Sequence, residues 1–158
     1  MLSIDLFYSL VEIANNKLLS RTPTIITYDK TTKIIENTSN NEKAIRQEVG
    51  DGANIYALWS RDNDSDSWRT MYIGQRTQRF VIERIKQHLF NTPNGTQSKL
   101  EKVRLLAQEG KQIGITTVLI NPDPLRLSVE DQLIYSNTST NTDLPWNNKS
   151  RNVALRST

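Results

Sequence analysis

The chain has 158 residues, enough for one ordinary domain with its own core and too few for two full-sized ones. It contains no cysteine, which excludes disulfides, cysteine-based zinc sites and thiol catalysis. Its net charge of +3 is too small to assign a partner by itself.

The N-terminus carries an acid at Asp5 and no basic leader, so no signal peptide is expected. No apolar run approaches the roughly 20 residues of a membrane span. A soluble, cytoplasmic protein with no membrane partner and no organic cofactor is the expectation.

Residues 2–18 place Leu6, Leu10, Val11, Ile13 and Leu18 near one helical stripe, with Phe7 and Ala14 beside it. Residues 24–28 are short and β-branched, which predicts a strand, and residues 33–35 offer it a partner. Residues 37–41 are polar and read as a loop. Residues 42–49 predict a short helix stopped by Gly50 and Gly52. Residues 1–50 hold no catalytic constellation and are expected to be an extension packed on the main domain, residues 51–158.

That domain opens with a predicted strand at 54–59 and an Asp/Asn/Ser-rich turn at 61–67. A return strand at 68–73 follows, ended by Gly74. Residues 77–90 predict a helix, and Pro93, Asn94 and Gly95 a turn. A second helix at 98–109 has Ser98 as N-cap and Gly110 as stop. Residues 113–120 are apolar and β-branched, predicting a central strand. After Pro122 and Pro124, Ser128 is expected to cap a helix from Val129 to Tyr135. Residues 136–142 form a polar loop. The order strand, strand, helix, helix, strand, helix implies an α+β fold, a small antiparallel sheet flanked by helices.

Some of these residues suit chemistry. In the helix after Gly74, Val81, Ile82, Ile85 and Leu89 form the stripe facing the sheet. Arg84 and His88, four apart, stack at the border of that stripe, where packing would hold a cation and an imidazole. Tyr56 and Tyr72 lie on the two strands of the hairpin. Gly74 would let a phosphate approach the backbone. Glu130, early in its predicted helix and near the positive end of the helix dipole, is a candidate ligand for a hard divalent cation. Taken singly, each has an ordinary structural use: boundary residues, aromatic packing, a strand stop and a helix-stabilising acid.

Charge is unevenly spread. From Arg69 to Lys111 the bases are Arg69, Arg76, Arg79, Arg84, Lys86, Lys99, Lys102, Arg104 and Lys111, against the acids Glu83, Glu101 and Glu109. Such a stretch would attract a phosphate backbone.

In order along the chain, these pieces resemble the GIY-YIG nuclease family. Asn54-Ile55-Tyr56 and Tyr72-Ile73-Gly74 are similar to the two halves of its signature, with Asn54 where the first glycine stands. Arg84 and His88 match its Arg-x-x-x-His. Glu130 opens a Glu-x-x-Leu-Ile through Leu133 and Ile134, and Pro145-Trp146-Asn147 is similar to its closing element. The resemblance covers roughly residues 53–148.

It implies hydrolysis of DNA phosphodiesters with one Mg²⁺ or Mn²⁺ held by Glu130. Arg84 would neutralise charge on the scissile phosphate and Tyr72 would hydrogen-bond the phosphate or the water. Tyr56 would be the general base or position the water, while His88 would share the base role or orient Tyr56. Asn147, or its neighbour Asn148, would organise the backbone or hold substrate. Gly74, Arg76, Arg79 and Lys86 are the expected contacts to double-stranded DNA.

A catalytic domain with little more than an N-terminal arm resembles the family's type II restriction or phage members, which often act as homodimers. A nicking nuclease of repair type and a non-catalytic nucleic-acid-binding module are the alternatives.

Overall fold

The computed structural model of the protein describes residues 4–91, 98–140 and 142–147. The elements in chain order are α1 (Asp5–Leu19), β1 (Thr24–Ile26), α2 (Ser39–Val49), β2 (Ile55–Arg61) and β3 (Arg69–Gln75). They continue with α3 (Val81–Leu89), α4 (Leu100–Gln108), β4 (Gln112–Val118) and α5 (Leu125–Ser136). The expected α+β class is what the protein has: a four-stranded antiparallel sheet of order β1-β4-β2-β3, flanked by helices.

Both inner strands are buried along almost their whole length, because helices cover both faces of the sheet. Alternation along β2 sorts its side chains between two cores. Tyr56 and Leu58 join Ile45 and Val49 of α2, Val81, Ile85 and Leu89 of α3, and Val103 and Leu106 of α4. Ile55, Ala57 and Trp59 join Val11, Ala14 and Leu18 of α1, and Val129, Leu133 and Ile134 of α5. Residues 1–50 thus supply one helix to each layer and an edge strand to the sheet.

Several expected boundaries move, each for a local reason. Residues 33–35 form no strand: the Asp29 carboxylate accepts the amides of Thr31 and Thr32, closing a turn that leaves Lys33 at φ 56. The expected loop at 37–41 contains the start of α2, because the Thr38 side chain accepts the Asn41 amide as an N-cap. The expected helix at 77–90 begins only at Val81, since residues 78–80 form a turn closed by the Phe80 amide on the Thr77 carbonyl.

Ser128 caps nothing. The turn at Pro122 and Asp123 starts α5 at Leu125, and a proline just before a helix suits its missing N–H. Glu130 is therefore the sixth residue of α5, beyond the first turn where the helix dipole acts. The expected turn at Pro93, Asn94 and Gly95 lies outside the described residues.

Candidate active site

Register brings the first residues together. Tyr56 pairs with Gly74 and Leu58 with Tyr72, so the two tyrosines and the glycine share one face of the hairpin. The two phenol rings lie 6.2 Å apart, centre to centre. A Cβ on Gly74 would fall 2.6 Å from both the Cζ and the hydroxyl of Tyr56, and 2.7 Å from Cε1 of Tyr72. These are distances no side chain can occupy, so glycine here makes room for the tyrosine pair.

Helix α3 covers that face and adds His88, which is fully buried. The imidazole packs at a tilt against both rings, its centre 5.5 Å from that of Tyr56 and 5.4 Å from that of Tyr72. Its Nε2 lies 2.8 Å from the Tyr56 hydroxyl, and its Nδ1 accepts the backbone amide of Lys99 at 2.9 Å. An Nδ1 that accepts leaves the ring proton on Nε2 in the neutral tautomer. The Tyr56 oxygen therefore receives a hydrogen bond from His88. Burial, with Arg84 and Lys99 nearby, pushes the His88 pKa down to about 3, so the neutral form is the one present near pH 7.

Burial is also the largest influence on Tyr56, raising its pKa above the usual tyrosine range, and Tyr72 adds to the effect. The Arg84 guanidinium, through its charge and a hydrogen bond to the phenol, pulls the other way, while the Glu130 carboxylate opposes ionisation. Arg84 also donates to Oε1 of Gln87 at 2.9 Å. Arg84 and Glu130 come from opposite layers: α3 covers the Tyr56 face, whereas α5 packs with α1 and against the edge strand β3.

Glu130 is buried at 8% exposure, where a carboxylate needs hydrogen bonds or a cation to offset lost hydration. Among the described residues no group of three His, Asp or Glu side chains surrounds a metal-sized position. A divalent cation here would rest on one carboxylate, waters and substrate oxygens. That set fits Mg²⁺, which commonly binds through one or two carboxylates and keeps several waters.

Asn147 is buried and fully engaged. Its Oδ1 accepts the Ile73 amide at 3.1 Å and its Nδ2 donates to the Ile73 carbonyl at 2.9 Å. It organises the outer edge of β3, the backbone role among those expected. Asn148 lies outside the described residues. Asn54, just before β2, has a comparable task. Its amide group spans both backbone groups of Ile120 and reaches Asp123, tying the start of β2 to the chain leaving β4.

The basic stretch divides. Lys86, an expected DNA contact, has its ammonium 2.7 Å from Glu42 of α2. Arg104 and Lys111 also sit in ion pairs, and Arg69 donates to the Thr142 carbonyl. Arg76, Arg79, Lys99 and Lys102 have no acidic partner among the described residues. Arg76 and Arg79 are exposed and flank the Phe80 ring at 5.8 and 5.2 Å. The Lys99 ammonium lies 5.2 Å over the ring of Tyr72. Its position beside His88 depends on a backbone amide, which leaves no mark in sequence.

No family model matches the chain, and neither a curated protein nor a solved structure matches it.

Proposed function

We propose that the protein is a divalent-metal-dependent endonuclease acting on double-stranded DNA, with Tyr56, Tyr72, Arg84 and Glu130 around the scissile phosphate. The observation that carries this reading is the buried Tyr56–His88 pair, set against Tyr72 by a glycine that only this packing requires and influenced by one guanidinium and one carboxylate. Burial alone asks a phenol for one hydrogen-bond partner; at Tyr56 the oxygen is hydrogen-bonded by His88 and also by the Arg84 guanidinium.

In this reading Tyr56 is the general base, and His88 is its positioning residue. The His88 Nε2–H donates to the Tyr56 oxygen and stabilises a phenolate there, while Nδ1 is occupied by the Lys99 amide and is not available to take a proton. Tyr56 first loses its phenolic proton to solvent, with the Arg84 charge offsetting the burial that opposes ionisation, and the phenolate then accepts the proton of the attacking water. The water oxygen bonds to phosphorus, the bond from phosphorus to the 3′ oxygen breaks, and that oxygen takes a proton from solvent.

Arg84 neutralises charge on the phosphoryl oxygens, and Tyr72 hydrogen-bonds the phosphate. Mg²⁺ or Mn²⁺ bound to Glu130 would supply positive charge, favouring the phenolate and offsetting charge on the leaving oxygen. Arg76 and Arg79 extend the basic surface beside the site, which supports backbone contact with DNA. A type II restriction role, in a cytoplasmic protein acting as a homodimer, is the form of the reading we favour. Defined fragments from plasmid DNA would support it, and simple nicking would favour a phage- or repair-type enzyme.

One experiment separates a metal role of Glu130 from a role in binding DNA. Glu130→Ala is expected to abolish cleavage of a labelled duplex in Mg²⁺ while its affinity, measured by anisotropy without metal, stays near that of the unaltered protein. Loss of binding in step with loss of cleavage would argue against the metal role.

A further inference from the structure

Lys99 has two separable relations to the site. Its backbone amide fixes the His88 tautomer, and its ammonium stands over the Tyr72 ring. The first is structural and independent of the side chain. The second places a cation 5.2 Å from the ring centre of a tyrosine that itself packs at a tilt against His88.

Two further facts bear on that cation. No carboxylate among the described residues pairs with it, whereas Lys86, Arg104 and Lys111 of the same basic stretch are all in ion pairs. Burial lowers its pKa, and the positive charges of Lys102 and Arg84 add to the effect. Lys99, just before α4, and Arg84, on α3, thus hold positive charge at the tyrosine pair, where an incoming anion would meet both. A lysine serving only to cover Tyr72 would gain by turning its ammonium out to water, away from Arg84.

We infer that the Lys99 ammonium binds a phosphate oxygen of the DNA strand held by Arg84, as a second cationic contact on the Tyr72 side of the site. This deepens the nuclease reading and rests on it for the identity of the ligand. It also commits to a different role for each part of one residue: the amide positions His88, the ammonium contacts substrate.

Alanine at 99 keeps the backbone amide, so it removes the contact to substrate and leaves the His88 tautomer in place. The test is the affinity of a fluorescein-labelled DNA duplex, by anisotropy without divalent metal, from about 50 to 300 mM salt. The proteins are the unaltered chain, Lys99→Ala, Lys99→Arg and, as a control, Lys30→Ala. Lys30 lines a cleft at the other end of the sheet, near Asp62 and Gln112. Lys99→Ala is expected to bind more weakly and to show a log–log salt slope shallower by about 0.9, the loss of one phosphate contact. Lys99→Arg and Lys30→Ala are expected to keep the full slope.

An unchanged slope and affinity for Lys99→Ala would overturn the inference, and so would an equal loss in Lys30→Ala, which would mark a general charge effect. Salt-dependent binding without cleavage in Mg²⁺ would count against the nuclease reading alone, with Lys99 still judged by its slope. A chain that shows no salt-dependent binding to DNA would overturn both.

Discussion

A buried phenol and a buried imidazole share a hydrogen bond at Tyr56 and His88, and the direction of that bond decides what each can do. The Lys99 amide consumes the Nδ1 lone pair of His88, so Nε2 carries the proton and Tyr56 receives it. Substituting Tyr56 by Phe removes one oxygen from a packed site and should leave the fold intact. Cleavage in single-turnover assays is expected to fall by about 10² to 10⁴, the usual range for losing a general base, with duplex affinity little changed. Retention of most of the rate would show that Tyr56 only fills space.

His88 makes a second prediction, on stability. Its pKa is about 3 in the folded protein and near 6.5 when unfolded, so between these values the unfolded chain binds the extra proton. Stability is therefore complete above the unfolded value and falls as pH drops through 6.5 towards 3. The chain has one histidine. The loss from pH 8 to pH 5 should be about 2 kcal/mol in urea melts, before most carboxylates titrate. His88→Gln should flatten that slope, and an equal slope in the variant would assign it elsewhere.

Elements are joined here by a repeated device. Asn41, Asn54 and Asn147 are buried, and each amide side chain pairs with both the N–H and the C=O of one residue: Thr27, Ile120 and Ile73 respectively. Each acts as a substitute peptide group where a strand runs out of neighbours. Asn147→Asp replaces a donor facing the Ile73 carbonyl with an acceptor, and is expected to cost about 2 kcal/mol in denaturant unfolding. No measurable cost would mean the β3 edge pairs with water equally well.

Gly74 belongs to the same scale, because register alone sets it against Tyr56. Gly74→Ala should destabilise by about 1 to 3 kcal/mol through overpacking, and should lower cleavage further than that loss accounts for, by displacing Tyr56. Melting and single-turnover rates measured on the same variant separate the two effects.

The hairpin, the central strand and the α3 stripe were legible in sequence because hydrophobic period and β-branching report burial directly. The start of α3 is not, because it is set by a turn whose backbone hydrogen bonds have no residue signature, while that of α5 is marked by Pro122 and Pro124 rather than by Ser128. Of the reasons that single out Glu130, the first-turn dipole position is the one it does not occupy. What it does have, burial and influence on Tyr56, comes from packing between layers, which no local pattern encodes. The same holds for Lys86, whose partner Glu42 lies on α2, far away in the chain.

Across the whole molecule the sheet carries two differently used faces. One holds the tyrosines, His88 and Arg84 under α2, α3 and α4, and the other is packed by α1 and α5. The N-terminal residues are built into this arrangement. Glu48 of α2 accepts two hydrogen bonds from Arg21, one from Thr24 and two from Thr117 of β4. Strand β1 and the end of β4 are thereby fastened to one carboxylate. Among the described residues no helix is long and apolar enough to cross a membrane.

Digestion of supercoiled plasmid DNA in Mg²⁺ by the full chain and by Tyr56→Phe, with EDTA as control, tests the proposed chemistry most directly. Metal-dependent linearisation or fragmentation by the full chain, absent in the variant and in EDTA, is the expected result. Intact plasmid with the full chain, or equal cleavage by the variant, would contradict it.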